Sequence, residues 1–171
     1  MMAKIIVQGK EFDIEILDPE LVKMVTPAKK KTGYERVECG ETYYWGIVDS
    51  RGEVVGSTDN RTESDSHIYS IADYYSDKIV AENNARADKL MRQLRRFSAE
   101  RRDKEMDWAN DDKAKYTIEF DYDTKTLDVD YWYGSREFGT IFFETDLDAE
   151  QAIETFRDEL MWYFTEYKDS L

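Results

Sequence analysis

Acidic side chains recur at every second position on both sides of residues 124–125, and their types and spacing are the ones in this chain most suited to chemistry. The candidate binding residues are five carboxylates and one aromatic side chain, Glu119, Asp121, Asp123, Asp128, Asp130 and Trp132. Successive side chains of a strand point to opposite faces, so the pattern predicts a hairpin with one acidic face. The other face is predicted to be core and consists of Tyr116, Ile118, Phe120, Tyr122, Leu127, Val129, Tyr131 and Tyr133.

The pairing of the two predicted strands decides which carboxylates meet. A turn centred on residues 124–125 would place Asp121 opposite Asp128. The next such pair along the ladder would be Glu119 and Asp130. Like charges directly opposite each other destabilise a sheet, so an acidic face of this kind usually has a role that offsets its cost.

Three interpretations of this face are open at the level of sequence. The first is a solvated sheet surface. The second is an imitation of nucleic acid, because carboxylates two residues apart along a strand lie roughly 6.6–6.8 Å from each other and two such rows approximate a phosphate track. The third is a site for Mg²⁺ or Ca²⁺, which prefer oxygen ligands and which a metal-dependent nuclease would use.

Basic side chains concentrate in the predicted helix that precedes this hairpin. Lys89, Arg92 and Arg96 project from its side opposite the apolar residues. One interpretation is a solvated face that balances the acidic C-terminal half. The other is contact with RNA or DNA through these three side chains. A homodimer, in which the acidic face of one copy covers the basic helix of its neighbour, is a further arrangement that the charges allow.

The composition of the whole chain restricts the classes of function. The 171 residues include 38 Asp and Glu against 24 Lys and Arg, and the net charge of −14 disfavours a general phosphate-backbone binder and favours a positive partner. Aromatic residues make up 14%, too many for a disordered acidic chain. With one cysteine, Cys39, and one histidine, His67, a single chain can form neither a disulfide nor a Cys/His zinc site. We expect no cofactor, no membrane span and a cytoplasmic location in a bacterial host cell.

The elements that position these residues fall into three segments. Residues 1–32 are predicted to form an N-terminal β-hairpin, a short helix over residues 18–25 and a basic linker. Residues 33–104 and residues 105–171 are each predicted to form two strands followed by a helix, and we expect these halves to share one core. Within the first half, the polar stretch of residues 57–66 is predicted to be a mobile loop.

The two halves repeat each other over a short stretch. In both, an aromatic pair ends a strand, a capping residue follows, and Ala-Glu lies in the first turn of a helix. The aligned stretches are residues 73–82 and 141–150. The sequence therefore predicts an α+β fold of two ββα-like halves, an antiparallel sheet with amphipathic helices packed on it, and it raises the hypothesis of a duplication.

Spaced aromatic residues and turns carry a resemblance to a group of known proteins. They are Gly33-Tyr34-Glu35-Arg36-Val37, Gly40-Glu41-Thr42-Tyr43-Tyr44, Gly52-Glu53-Val54, an aromatic pair with Ala81-Glu82, Leu90, Leu94, Arg95-Arg96-Phe97, Asp107-Trp108 and Lys115-Tyr116. In this pattern the chain resembles small acidic accessory proteins encoded by phages and mobile elements of Gram-positive bacteria. The resemblance implies a phage or mobile-element product, a class that includes anti-CRISPR inhibitors of type II Cas nucleases. Several of those inhibitors are acidic and occupy the basic groove that receives PAM-side DNA.

Charge and resemblance together lead to one expected activity. We expect a non-enzymatic inhibitor whose acidic hairpin binds a basic nucleic-acid-binding surface as a DNA mimic. The suspected partner is a type II Cas nuclease, and guide RNA is a second candidate partner through the basic helix. The alternatives are a small metal-dependent nuclease that uses the same carboxylates, and an interaction module or homo-oligomer unrelated to nucleic acid.

Overall fold

The computed structural model describes residues 2–7, 10–15, 31–46 and 54–171. The chain divides into two units, Met1–Lys31 and Thr32–Leu171. In the first unit, strand β1 (Met2–Val7) pairs antiparallel with strand β2 (Lys10–Glu15), which is a hairpin where the sequence predicts one. The predicted short helix and all but the end of the basic linker lie outside the described residues.

The second unit begins with a short hairpin followed by two helices. Strand β3 (Thr42–Trp45) pairs antiparallel with strand β4 (Val55–Thr58), and the predicted turn between them lies outside the described residues. Helix α1 (Glu63–Ser70) and the long helix α2 (Lys78–Arg101) follow. Aromatic and β-branched residues dominate β3, which favours extended structure there.

Helix α1 corrects the prediction of a mobile loop over residues 57–66. The side chain of Thr62 accepts a hydrogen bond from the Asp65 N–H (3.2 Å), and the Asp65 carboxylate accepts one from the Thr62 N–H (2.9 Å). This reciprocal capping box satisfies two N–H groups that a helix start leaves unpaired. The polar composition is therefore that of a helix start, and not that of a solvated loop.

The C-terminal half contains the second hairpin and the last helix. Strand β5 (Lys115–Asp121) pairs antiparallel with strand β6 (Thr126–Trp132), and helix α3 (Asp146–Thr165) packs on them. Helix α3 is interrupted at Phe156, whose φ of −115° and ψ of 18° are not helical. The described residues thus form an α+β fold with three two-stranded antiparallel sheets, and the α+β prediction is confirmed.

The two aromatic pairs occupy matching places in the two halves. Tyr75 exchanges backbone hydrogen bonds with Tyr44 on β3 (2.8 Å each), and Phe143 exchanges them with Tyr116 on β5 (2.7 and 3.0 Å). In each half the second residue of the pair thereby forms an isolated β-bridge to one strand of the hairpin. The N-cap of the next helix follows two residues later, with Asp77 starting α2 and Thr145 starting α3. An alanine that is completely buried sits four residues after each cap, at positions 81 and 149.

Apolar burial forms two clusters that helix α2 connects. The larger cluster lies between α2, α3 and the inner face of the β5–β6 hairpin and contains Leu90, Leu94, Phe97, Phe120, Leu127, Phe143, Ala149, Ala152, Ile153 and Leu160. The smaller one contains Val54, Tyr75, Val80, Ala81 and Ala85. Since α2 contributes to both, it is the element that ties the first half to the second.

Fewer residues on the inner face of the β5–β6 hairpin are buried than the sequence predicts. Phe120 and Leu127 are buried, but Tyr122, Tyr131 and Tyr133 are each more than half exposed. The buried pair lies next to the loop and the pair in the middle of the hairpin, Ile118 and Val129, is partly buried, so burial on this face decreases toward the end away from the loop. Within the described residues, none of the helices combines the length and apolar character that crossing a bilayer requires.

Candidate functional site

A side-chain turn fixes the pairing of the acidic hairpin. The Asp121 carboxylate accepts hydrogen bonds from the N–H groups of Asp123 (2.7 Å) and Thr124 (3.2 Å), and its carbonyl accepts one from the Lys125 N–H (2.8 Å). Lys125 adopts a left-handed conformation with φ of 60°, which closes the loop. An aspartate at the start of a turn commonly bonds to the backbone in this way.

The loop therefore spans residues 122–125, and the predicted register of the two strands is wrong by two residues. Asp128 lies opposite Glu119 and not opposite Asp121, and Asp130 lies opposite Thr117. Asp121 itself faces Thr126. Only one like-charge pair remains directly opposed, because the turn carboxylate has displaced the ladder by two residues.

Four of the five predicted carboxylates nevertheless share one exposed surface, which we call the acidic face. It consists of Glu119, Asp121, Asp128 and Asp130, all exposed. The Asp128 carboxylate accepts a hydrogen bond from the Thr126 hydroxyl (3.0 Å), and the Asp130 carboxylate accepts one from the Tyr131 N–H (2.8 Å). Asp123 is exposed too, but it lies in the loop at the tip of the hairpin.

Within the described part of the chain no cation forms an ion pair with the acidic face, although the charge of Lys125 acts on Asp121. Lys115, at one end of the hairpin, is buried, and its ammonium donates to the carbonyls of Asn110 (2.8 Å) and Gly134 (3.2 Å). Lys125, at the other end, lies over the Tyr122 ring at 5.4 Å. The face therefore projects its negative charge into solvent. The turn N–H groups, that of Thr124 first, hold the pKa of Asp121 below its usual range.

Aromatic side chains border the acidic face at the end away from the loop. Trp132 lies on the same side as the carboxylates and is 41% exposed, and its indole N–H donates to the Ser135 carbonyl (3.1 Å). Tyr131 and Tyr133 contact each other edge to face at 5.7 Å. Large aromatic side chains at the border of a charged surface are common anchors of protein interfaces.

The described residues contain no group of three or more Asp, Glu, His or Cys side chains arranged to hold a metal ion. The carboxylates of the acidic face are spread along the two strands. Glu119 and Asp121 are two residues apart on β5, and Asp128 and Asp130 are two apart on β6.

The three predicted basic residues of α2, Lys89, Arg92 and Arg96, are all exposed on one side of the helix. Arg92 and Arg96 are exposed, and each approaches a carboxylate one turn away on the same helix, Asp88 at 4.0 Å and Glu100 at 3.8 Å. Pairs of this kind contribute only about 0.3–0.5 kcal/mol and leave the arginines accessible. Lys89 instead lines a cleft of about 830 Å³ between α2 and the bend in α3.

The sequence reasoning missed a buried polar network in the first half. Asp59 is completely buried, and its carboxylate accepts hydrogen bonds from Arg36 (2.9 Å), from the Tyr74 hydroxyl (2.9 Å) and from the Arg61 N–H (2.8 Å). These partners, the Arg36 guanidinium first, hold the pKa of Asp59 far below its usual range. Burial and the bond to Asp59 raise the pKa of Tyr74 to about 12.

A second buried carboxylate extends this network. Asp65, which caps helix α1, accepts a hydrogen bond from the Tyr43 hydroxyl (3.1 Å), and the Tyr43 ring stacks on Tyr74 at 4.2 Å. In the described part of the chain, every buried side-chain nitrogen or oxygen has a hydrogen-bond partner. The network is thus fully satisfied and acts as a structural clamp. The capping pattern Thr62-x-x-Asp65 is the sequence signal that could have revealed it.

Comparisons with protein-family models, with curated proteins and with solved structures each find no match to this chain.

Proposed function

We propose that this protein is a non-enzymatic inhibitor whose acidic face binds the basic nucleic-acid-binding surface of another protein. The single observation that carries the proposal is that Glu119, Asp121, Asp128 and Asp130 are exposed together and form no ion pair with any described residue. Like charges directly opposite each other destabilise an isolated sheet, and a cationic partner would offset that cost. Complementary charge also speeds association with such a partner.

The support beneath the acidic face favours binding as a rigid body. Phe120 and Leu127 anchor the opposite side of the hairpin in the core. The outer edge of β5 is held by the backbone bonds between Tyr116 and Phe143 and by the Thr117 hydroxyl, which donates to the Ile141 carbonyl (3.1 Å). The carboxylates are therefore presented at fixed separations, and a preorganised surface loses less entropy on binding.

A type II Cas nuclease is the concrete partner that we propose, with the protein acting as an anti-CRISPR inhibitor of phage or mobile-element origin. The groove of these nucleases that reads the PAM uses arginine side chains. Two rows of carboxylates flanked by Trp132 would occupy the positions of phosphates there. The choice of this partner rests on the sequence resemblance, whereas the choice of a basic surface rests on the acidic face.

A charge-reversal variant tests the acidic face directly. Glu119, Asp128 and Asp130 are changed to Lys, and Asp121 is kept because it holds the turn. Purified type II Cas nuclease loaded with guide RNA is incubated with the protein, and binding of a PAM-containing duplex is measured at low and high salt. We expect the wild-type protein to compete with the duplex, and the variant to bind the nuclease at least about a hundredfold more weakly.

A matched control separates the acidic face from net charge. Glu150, Asp158 and Glu166 are exposed on or at the end of α3, and changing them to Lys alters the net charge equally. We expect this control to compete almost as well as the wild-type protein. Equal losses in both variants, or competition that neither variant alters, would contradict the assignment of the acidic face. A parallel incubation of the protein with RNA or DNA and Mg²⁺ or Mn²⁺ tests the nuclease alternative.

A further inference from the structure

A cluster of arginines lies where the end of α2 meets the C-terminal half, on a surface that the acidic face does not include. Arg95 of α2, Arg102 at its end and Arg136 of the loop over residues 133–140 line a recess of about 90 Å³. Arg95 and Arg136 also line an adjoining recess of about 480 Å³. We call the two recesses together the arginine cleft.

The charges of the arginine cleft are not neutralised. Arg95 and Arg102 form no ion pair or hydrogen bond in the described part of the chain. Arg136 lies over the Trp108 ring at 5.8 Å. Among the residues that line the cleft, the one carboxylate is that of Glu137, which accepts a hydrogen bond from the Thr140 hydroxyl at 3.4 Å. Three guanidinium groups around one carboxylate, in a chain with a net charge of −14, favour a bound anion.

Aromatic rings stand next to these arginines. Phe138 lines the larger recess and is fully exposed to solvent. Trp108 lines the smaller one and contacts Phe142 edge to face at 5.3 Å. An exposed phenylalanine has an energetic cost in water, and a planar base stacked on it would cover that apolar surface.

We infer that the arginine cleft binds a single-stranded nucleic acid, with phosphates at the three arginines and a base stacked on Phe138. Arginine contacts to phosphate combined with aromatic stacking are the shared features of single-strand binding surfaces. A phosphorylated peptide would use the arginines alone and gain nothing specific from Phe138. The cleft consists of Arg95, Arg102 and Arg136, whereas the contact surface that the sequence predicts consists of Lys89, Arg92 and Arg96.

Fluorescence anisotropy with labelled single strands tests the arginine cleft. The probes are RNA and DNA oligonucleotides of about twelve nucleotides and mixed sequence, titrated with the whole protein from low salt upward. Three phosphate contacts predict that the logarithm of the binding constant falls with the logarithm of salt concentration with a slope of about −2. The double variant Arg95→Gln with Arg136→Gln should bind roughly a hundredfold more weakly at low salt, and its slope should fall in magnitude by about 1.4.

Two further variants make the test specific. Arg92→Gln with Arg96→Gln removes the same charge from the same helix, and we expect it to change affinity less than about threefold. Phe138→Ala should weaken binding about tenfold without altering the salt slope, because the ring contributes stacking and no charge. The inference is overturned if the wild-type protein binds neither probe at low salt, if both arginine pairs matter equally, or if a phosphopeptide displaces the probe while Phe138→Ala has no effect.

Discussion

The two halves of the second unit both place an aromatic pair between a hairpin and a capped helix, but their carboxylates lie in opposite environments. In the first half, Asp59 and Asp65 are buried among arginine and tyrosine side chains. In the second half, Glu119, Asp128 and Asp130 are exposed, and none of them forms an ion pair with a residue that the structure describes. The difference teaches that acidic composition does not by itself locate a binding surface. The buried carboxylates Asp59 and Asp65 hold the first half together, whereas those of the acidic face are open to solvent.

Matching positions show how the halves diverge. Tyr74 and Phe142 both open the aromatic pair that leads into a helix. The Tyr74 hydroxyl donates to Asp59 and accepts from the Val37 N–H, whereas Phe142 has no hydroxyl and packs on Trp108. The first half fills the space before its aromatic pair with helix α1. The second half has only a loop there, and this loop contributes Arg136 and Phe138 to the arginine cleft.

Replacement of Asp59 by Ala is expected to have the largest effect on stability. The change leaves the Arg36 guanidinium and the Tyr74 hydroxyl without their acceptor, and breaking a buried charge pair from one side costs about 3–5 kcal/mol. Urea denaturation followed by tryptophan fluorescence measures the loss. The matched change Asp128→Ala, on the acidic face, should alter the free energy of unfolding by less than about 0.5 kcal/mol. Similar losses in the two variants would contradict the contrast between the halves.

The fold class and the repeat could be predicted from the sequence, because they depend on local patterns. Alternation of apolar and acidic residues predicts the β5–β6 hairpin, and the capping residues before Ala81 and Ala149 predict the starts of α2 and α3. The register of the hairpin could not be predicted this way. It depends on whether the Asp121 side chain bonds to the backbone of the loop, and alternation with period two is the same for registers that differ by two residues.

The buried network and the arginine cleft were harder to predict, because each joins residues distant in sequence. Arg36, Asp59 and Tyr74 come together only when β3 is flanked by the helix start and by the aromatic pair. Arg95 and Arg136 are separated by the whole β5–β6 hairpin. A single polar residue carries no signal of such a partner, and the sequence therefore assigned the basic residues of α2 to solvent or to nucleic acid by their helical spacing alone.

The dependence of the free energy of unfolding on pH, in the acid range, is a second and smaller difference between the two halves. The pKa values of Asp59 and Asp65 are lowered in the folded protein, so the unfolded chain binds more protons than the folded one as the pH falls. Their contribution to stability is therefore present above the unfolded pKa of about 3.9 and is lost as the pH falls through the folded values. Each such group contributes a slope of up to about 1.4 kcal/mol per pH unit.

The variants Asp59→Asn and Asp65→Asn test this dependence. Each side chain keeps its shape but cannot titrate, so the free energy of unfolding should fall less steeply between about pH 4 and pH 2 than in the wild-type protein. Urea denaturation at a series of pH values measures the slope. If the free energy of unfolding falls with pH at the same rate in the wild-type protein and in Asp59→Asn, the pKa of the buried carboxylate is unshifted. That result would contradict the difference between the buried carboxylates of the first half and the exposed ones of the second.

The smallest expected effect is the coupling energy between Glu119 and Asp128, the like-charge pair of the acidic face. It should have the opposite sign to the coupling between the buried Asp59 and Arg36. In a double-mutant cycle of Glu119→Gln and Asp128→Asn, either single change relieves the repulsion and the double change relieves it only once. We expect a coupling of about 0.5 kcal/mol at low salt, unfavourable to the folded state. Since both carboxylates are exposed, about 1 M salt should abolish the coupling.

An equivalent cycle of Asp59 with Arg36 should give a coupling of the opposite sign. That coupling should survive the same salt, because Asp59 is completely shielded from water. A repulsion that salt leaves unchanged would mean that the acidic face is not solvated, and a basic partner could then not reach it without rearrangement of the hairpin.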